Sequence, residues 1–236
     1  ITLIDKGPLI SHAPCGIPYY IGGVVKDAGE LAVYSPEEFA RERRINVKIN
    51  AEAIDVDSSN HVVLVKEGNS VIKYEWDTLI IATGAKPIIP PIEGSDLRGI
   101  LTLRLPHEAT RLREEALRAD KVAIIGGGYI GLELAEALRA LGKRVMLFEM
   151  MPHVLPSTFD EDLAKLIHDE LIKNNVELHL GERVVGFRGV NGEVKTVITD
   201  KGEYNVDKVF MGVGVKPDVD LALKAGVKLG ETGAVY

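Results

Sequence analysis

Cys15 is the only cysteine among 236 residues, so any thiol chemistry of this chain runs through one sulfur. It stands in Ser11-His12-Ala13-Pro14-Cys15-Gly16-Ile17-Pro18-Tyr19-Tyr20, where Cys15-Gly16-Ile17-Pro18 opens a helix and Gly22-Gly23 closes it. The positive end of a helix favours a thiolate. One thiol cannot make a dithiol pair, but it can cycle through a mixed disulfide, a persulfide or a sulfenic acid. Spacing alone leaves a buried structural cysteine equally open. His12 reads as a base or substrate contact, or as a plain polar contact. Tyr19 and Tyr20 either line a pocket or pack the helix.

The second constellation is Val122-Ala123-Ile124-Ile125-Gly126-Gly127-Gly128-Tyr129-Ile130-Gly131, a G-x-G-x-x-G directly after an apolar strand and before the helical run 132–141. Gly126 permits the tight turn, Gly128 a close approach to pyrophosphate, and Gly131 close packing of helix on sheet; the helix start supplies unpaired N–H donors. Glu149 ends the following strand, where an acid can accept the two hydroxyls of an adenosine ribose. Strand, turn, helix and spaced acid together indicate a dinucleotide site. Met150, Met151 and Pro152 follow Glu149 with no Arg to neutralise a 2′-phosphate, so NADH is expected over NADPH. Lys143 and Arg144 precede the strand and face solvent.

The elements that must carry these residues are short. Strands are expected at 1–5, 47–49, 53–56, 62–65, 71–74, 121–125, 145–149, 176–180, 184–190, 194–199 and 206–212, with a buried strand at 78–82. Helices are expected at 107–118, 129–141 and 159–174, and another after Ser35, with Pro36 at its first position and Glu38 closing a capping box. Pro87, Pro90 and Pro91 make an extended linker. Strands alternating with helices imply an α/β fold with parallel sheets, and the ribbons imply antiparallel insertions. Residues 1–5 echo 145–149, and Leu79-Ile80-Ile81-Ala82-Thr83-Gly84 echoes Val209-Phe210-Met211-Gly212-Val213-Gly214. Two related nucleotide-binding units are therefore expected.

Composition narrows the classes. Hydrophobic residues are 46%, charged residues 27%, and the formal charge is −7, which suits a folded enzyme and offers no basic block for nucleic acid. Arg41–Arg44 is interrupted by Glu42 and reads as a solvated helix face. No run approaches the ~20 apolar residues of a membrane span. The N-terminus has no signal-peptide pattern, and one cysteine gives no sign of secretion, so cytoplasm is the default expectation. His107, His153, His168 and His179 lack metal-ligand spacing, and no metal is expected.

With these motifs in hand, the chain resembles the pyridine nucleotide-disulfide oxidoreductase superfamily. Residues 11–23 resemble the active-site segment of coenzyme A-disulfide reductases and the related NAD(P)H sulfur and polysulfide reductases, beside NADH oxidases and peroxidases. The resemblance runs from Cys-Gly-Ile-Pro-Tyr-Tyr through Ala82-Thr83-Gly84 and 126–133 to 212–217; four such segments in order are specific for the superfamily, and Pro-Tyr-Tyr favours the CoA-disulfide branch. It implies two Rossmann-like units: a partial FAD-binding domain at 1–105, an inserted NAD(P)-binding domain at 106–220, and a return segment at 221–236. It implies FAD, with Asp5 on its adenosine ribose and Ala82, Thr83 and Gly84 near its ADP portion, and Cys15 as the redox nucleophile. It implies CoA contacts at Ser11 and Arg43. Tyr129, Ile130, Glu133 and Gly214 would border the NAD nicotinamide and its pyrophosphate.

The implied reaction is NADH-driven, FAD-dependent reduction of CoA disulfide or a sulfur species. The rivals are an NADH oxidase or peroxidase using a Cys15 sulfenic acid and, outside enzymes, an NAD(H)-binding module or redox sensor. Relatives begin with a glycine-rich FAD turn and end in a dimerisation domain that completes a homodimer. This chain carries neither, so the resemblance implies a fragment that holds flavin poorly.

Overall fold

Alternation along Lys121-Val122-Ala123-Ile124-Ile125 sends Val122 and Ile124 to one face of a sheet and Ala123 and Ile125 to the other, and all four are buried. A strand apolar on both faces needs cover on both. The computed structural model, which describes residues 1–236, provides it. The helices, in chain order, are α1 (Ile17–Ile21), α2 (Pro36–Arg43), α3 (Ala109–Arg118), α4 (Tyr129–Ala140), α5 (Glu161–Lys173) and α6 (Asp220–Lys224). None is long and apolar enough to cross a membrane.

The chain divides into two compact units. One comprises residues 14–31 and 87–214, the other residues 1–13, 32–86 and 215–236. The first is built on a five-stranded parallel sheet in the order Val176–Leu180, Arg144–Glu149, Lys121–Ile125, Lys208–Met211, Ile100–Thr102. On one face Val122, Ile124, Val145 and Leu147 pack with Leu112 and Ala116 of α3 and with Leu134 and Leu138 of α4. On the other, Ala123, Ile125, Met146 and Phe148 meet Phe187, Val194 and Val197 of an antiparallel ribbon. That ribbon is Val184–Val190, Glu193–Thr199 and Glu203–Asn205. Successive strands leave Lys121–Ile125 on opposite sides, so the crevice at its carboxyl end is the topological switch point where such sheets take ligands.

The second unit is shallower. Thr2–Ile4 pairs in parallel with Asn46–Lys48, and Ser11–His12 pairs with Ala32–Tyr34. A three-stranded ribbon, Ala51–Asp57, Val62–Glu67 and Ser70–Glu75, closes a small core of Ala51, Val56, Val63 and Val65. At α2 the capping box forms as its sequence implies: Glu38 N–H donates to Ser35 Oγ at 3.1 Å, and Ser35 N–H donates to Glu38 Oε2 at 3.2 Å.

One expectation needs revision. Residues 78–82 form no ladder, and Ile80 is 84% exposed although Leu79 packs on the small core. Leu-Ile-Ile-Ala has strand propensity, but a strand requires a neighbour, and none pairs with it here. The extent of the compact units follows from packing. Glu93 and Arg98 bridge to Gly186 and Glu193 of the ribbon, and Ile100–Thr102 then adds an edge to the parallel sheet, which ties 87–105 to the sheet that follows.

Candidate functional site

The glycine-rich turn sits at the switch point. Gly126 has φ +105°, a left-handed value that a side chain would strain. A Cβ on Gly131 would lie 2.0 Å from Gly126 O, so only glycine lets α4 approach this closely. A Cβ on Gly128 would meet nothing within 4 Å, leaving open space over the turn. Gly128 also provides no side-chain cap for α4, so the first-turn N–H groups are free for an anion. Ile130 packs into the core beneath, and Tyr129 is 57% exposed beside the opening.

Glu149 is 8% exposed and fixed by backbone donors: Gly127 N–H to Oε2 at 2.7 Å and Met151 N–H to Oε1 at 2.8 Å. Each carboxylate oxygen keeps a lone pair for a further hydroxyl. Open space at Gly128, uncapped amides and a fixed acid are the features a dinucleotide's pyrophosphate and ribose require, so these residues fit the group.

In the same unit, Cys15 lies exposed in the 3₁₀ turn Pro14–Gly16 that runs straight into α1. Ile17 and Ile21 of α1 are buried among residues of α3 and α4. A Cβ on Gly22 would come within 3.1 Å of Ala137 Cα, which shows how closely this segment meets α4. Arg113 of α3 clamps the end of α1, donating to Tyr20 O at 2.5 Å with its guanidinium 5.1 Å from the Tyr20 ring centroid. A small cleft lies between α1 and α4, lined by Pro18, Tyr19, Val24, Glu133 and Ala137. Burial there, aided by the charge of Glu136, raises the pKa of Glu133. Tyr20 packs the helix, whereas Tyr19 borders the cleft and stays 48% exposed. Gly214, with φ +108°, accepts from Ile88 N–H at 3.0 Å.

The remaining candidates belong to the other unit. Asp5 ends the strand Thr2–Ile4 and accepts from Gly7 N–H at 2.7 Å. Ala82, Thr83 and Gly84 are exposed; Thr83 Oγ1 donates to Asp218 O at 2.5 Å, and Gly84 O accepts from Asp218 N–H at 2.9 Å. Ser11 pairs with Tyr34, whose ring meets Phe39 edge-on at 5.8 Å, and Arg43 of α2 lies 5.9 Å over that same Phe39 ring. The antiparallel pair leading into α2 thus ties Ser11 to Arg43. His12, read from sequence as a base or polar contact, has a buried Nδ1 without a partner.

Two features had no sequence signal. Glu182, 5% exposed, accepts from Thr199 Oγ1 at 2.6 Å and Tyr204 OH at 2.8 Å, with His179 Nδ1 at 3.2 Å. Burial pushes its carboxyl up, but these donors outweigh it and hold the pKa low. The Glu182 N–H also donates to Glu149 O at 3.0 Å. The other feature is the loop 151–155, which folds back onto the glycine turn.

A family model described as pyridine nucleotide-disulphide oxidoreductase matches residues 1–236. An NAD(P)H sulfur oxidoreductase (CoA-dependent) from Pyrococcus abyssi is 44% identical over 238 residues, covering 100% of this chain and 52% of the relative. The solved structure of an NAD-dependent persulfide reductase from A. fulgidus matches with a TM-score of 0.94 at 36% identity, covering 99% of this chain and 44% of that one. The water-forming NADH oxidase of Lactobacillus brevis bound to NADH matches with a TM-score of 0.91 at 34% identity, covering 99% and 52%. An engineered form of it, described as a water-forming NADPH oxidase bound to NADPH, matches at 0.92 and 32%, with coverage of 99% and 52%. The chain spans about half the length of the curated relatives it matches. By its full-length family match, its glycine-rich turn with a fixed acid and these likenesses, the chain belongs to the pyridine nucleotide-disulphide oxidoreductase family.

Proposed function

We propose that this chain carries the dinucleotide-binding and thiol-bearing parts of an FAD-dependent NAD(P)H oxidoreductase that reduces CoA disulfide or a persulfide or polysulfide through Cys15. The observation that carries the reading is the docking of α1, which follows the exposed Cys15, onto α4, which opens the glycine-rich turn. In this reading, one compact unit combines a nucleophilic sulfur with a hydride-donor site. The CoA-dependent and persulfide-reducing relatives are consistent with such a substrate.

In this reading the turn Gly126–Gly131, Ile130 included, holds the pyrophosphate of NAD(H), Glu149 its adenosine ribose, and Tyr129, Glu133 and Gly214 border the nicotinamide end. Asp5, Ala82, Thr83 and Gly84 hold FAD, which when bound supplies two-electron transfer between nicotinamide and sulfur. Ser11 and Arg43 receive CoA; a guanidinium suits its phosphates. The Cys15 thiolate attacks the substrate disulfide and expels one thiolate, forming a mixed disulfide, and departs as a thiolate when two electrons arrive. The FAD part corresponds to residues 1–105, the NAD(P) part to 106–220, and 221–236 returns to the first. The complete protein works as a cytoplasmic homodimer.

NADH is the preferred donor. The fixed Glu149 carboxylate opposes a 2′-phosphate, and no cation follows it at Met150 or Met151. The engineered NADPH oxidase carries Gly→Ala, Asp→Ala, Ala→Arg, Met→Ser and Pro→Arg at successive separations of eighteen, one, one and five positions. Counted from Gly131, those separations fall on Glu149, Met150, Met151 and Pro156, where this chain has the glycine, an acid, a methionine in place of the alanine, the methionine and the proline.

The test is NADH oxidation by the full-length protein, wild type and Cys15→Ser, with CoA disulfide, polysulfide or oxygen as sole acceptor. Turnover on CoA disulfide or polysulfide that falls at least ~100-fold in the variant supports the proposal. Turnover on oxygen alone supports the second reading, an oxidase using a Cys15 sulfenic acid, which the likeness to the water-forming oxidase favours. NADH binding that survives Cys15→Ser with no turnover on any acceptor leaves a redox sensor.

A further inference from the structure

Leu155 has φ +51°, a left-handed conformation that a leucine rarely adopts. Such a turn persists only when its surroundings hold it, and here three contacts do. The Leu155 N–H donates to Gly127 O at 2.9 Å. Val154 is wholly buried, and a Cβ on Gly127 would meet its Cγ1 at 3.0 Å. The Val154 N–H donates to Nε2 of His168, on α5, at 3.2 Å. Gly127 is thus gripped at its N–H by Glu149 and at its C=O by Leu155, and α5 secures the second grip.

We infer that His168 is a positioning residue for the dinucleotide site: its unprotonated Nε2 holds the strained 154–155 turn against Gly127 and so fixes the glycine-rich turn. The inference rests on reading Gly126–Gly131 as that site. A ring nitrogen that accepts from a backbone N–H carries no proton, and protonation would set donor against donor. Burial first, and then the neighbouring His153, lowers the pKa of His168, which keeps the ring neutral at pH 7. The other charged groups facing it are Asp169, Lys165 and Glu161, all on α5, and His153 comes from the loop itself. Acidification below the lowered pKa should release the loop and weaken nucleotide binding.

The test uses ADP-ribose, which carries the adenosine and pyrophosphate and survives acid, titrated calorimetrically into the wild type, His168→Gln and His168→Leu between pH 7.5 and pH 5. Glutamine keeps an acceptor that does not titrate; leucine keeps bulk without an acceptor. At pH 7.5 the expected result is binding about tenfold weaker in His168→Leu and near wild type in His168→Gln. Toward pH 5 the wild type should weaken more than His168→Gln. Equal affinity in His168→Leu, or parallel pH profiles for wild type and His168→Gln, overturns the inference and leaves the dinucleotide site standing. No ADP-ribose binding by the wild type overturns both. If His168→Leu shows no thermal transition, the comparison of wild type with His168→Gln decides alone.

Discussion

Glu133 combines two demands in one side chain. It stands on α4 at the cleft against α1, where burial and the charge of Glu136 raise its pKa. A carboxyl that binds its proton more tightly folded than unfolded costs stability once pH rises above its unfolded value near 4.3. Glu133→Gln should therefore raise the melting temperature at pH 7–8 by about 1–2 °C, since solvent limits the effect, and the gain should shrink toward pH 4. If Glu133 also borders the nicotinamide, the same variant should lose turnover. Gained stability with lost activity is the expected trade at a working site. A variant that melts lower than wild type at pH 8 would refute the account. Glu133 was legible as a site candidate through the family resemblance of residues 126–133. Its partner Ala137 and the cleft were not, because they depend on where α1 docks.

Among the elements, the parallel strands and α4 were readable because each carries its pattern locally: period-two apolar residues, a glycine turn, a terminal acid. The capping box at Ser35 was equally local. Ile100–Thr102 escaped because three residues hold no period, and their place depends on Lys208–Met211 far along the chain. The Glu182 hub escaped for the same reason: Thr199 and Tyr204 come from separate strands of the ribbon, and His179 stacks on Phe148 with centroids 4.4 Å apart. The hub braces the backbone behind Glu149 through the Glu182 N–H. A carboxyl held below its ordinary pKa adds stability that is full above its unfolded value and is lost as pH falls through the folded one. Glu182→Gln should cost about 1–3 kcal/mol at neutral pH. Below about pH 4.3, where the unfolded group begins to protonate, its melting temperature should fall less steeply than that of the wild type. Parallel melting curves from pH 7 to pH 3 would remove Glu182 from the acid response.

At the scale of the whole chain, the two units hold unequal shares of buried structure. The unit formed by residues 14–31 and 87–214 has a five-stranded parallel sheet covered on both faces, whereas the other has short strand pairs, one ribbon and a core of four buried residues. Residues 78–82 mark the difference: a run that reads as a buried strand lies unpaired, with Ile80 84% exposed. Propensity is written in the run itself, but protection comes from a hydrogen-bonded neighbour, and only structure shows whether one is present. Amides open locally when few buried contacts and no ladder bonds hold them, and open only with global unfolding when they lie in a covered central strand. Hydrogen–deuterium exchange of a polypeptide of these 236 residues, followed by mass spectrometry, should therefore find residues 78–82 exchanged within seconds at pH 7, and Lys121–Ile125 slower by at least about 1,000-fold. Because Leu79 alone of that run packs on the small core, its peptide should show the most protection within the segment. Comparable protection at 78–82 and 121–125 would mean that the unpaired run is held by bonds this structure does not contain, and that the unequal division of stability between the units is wrong.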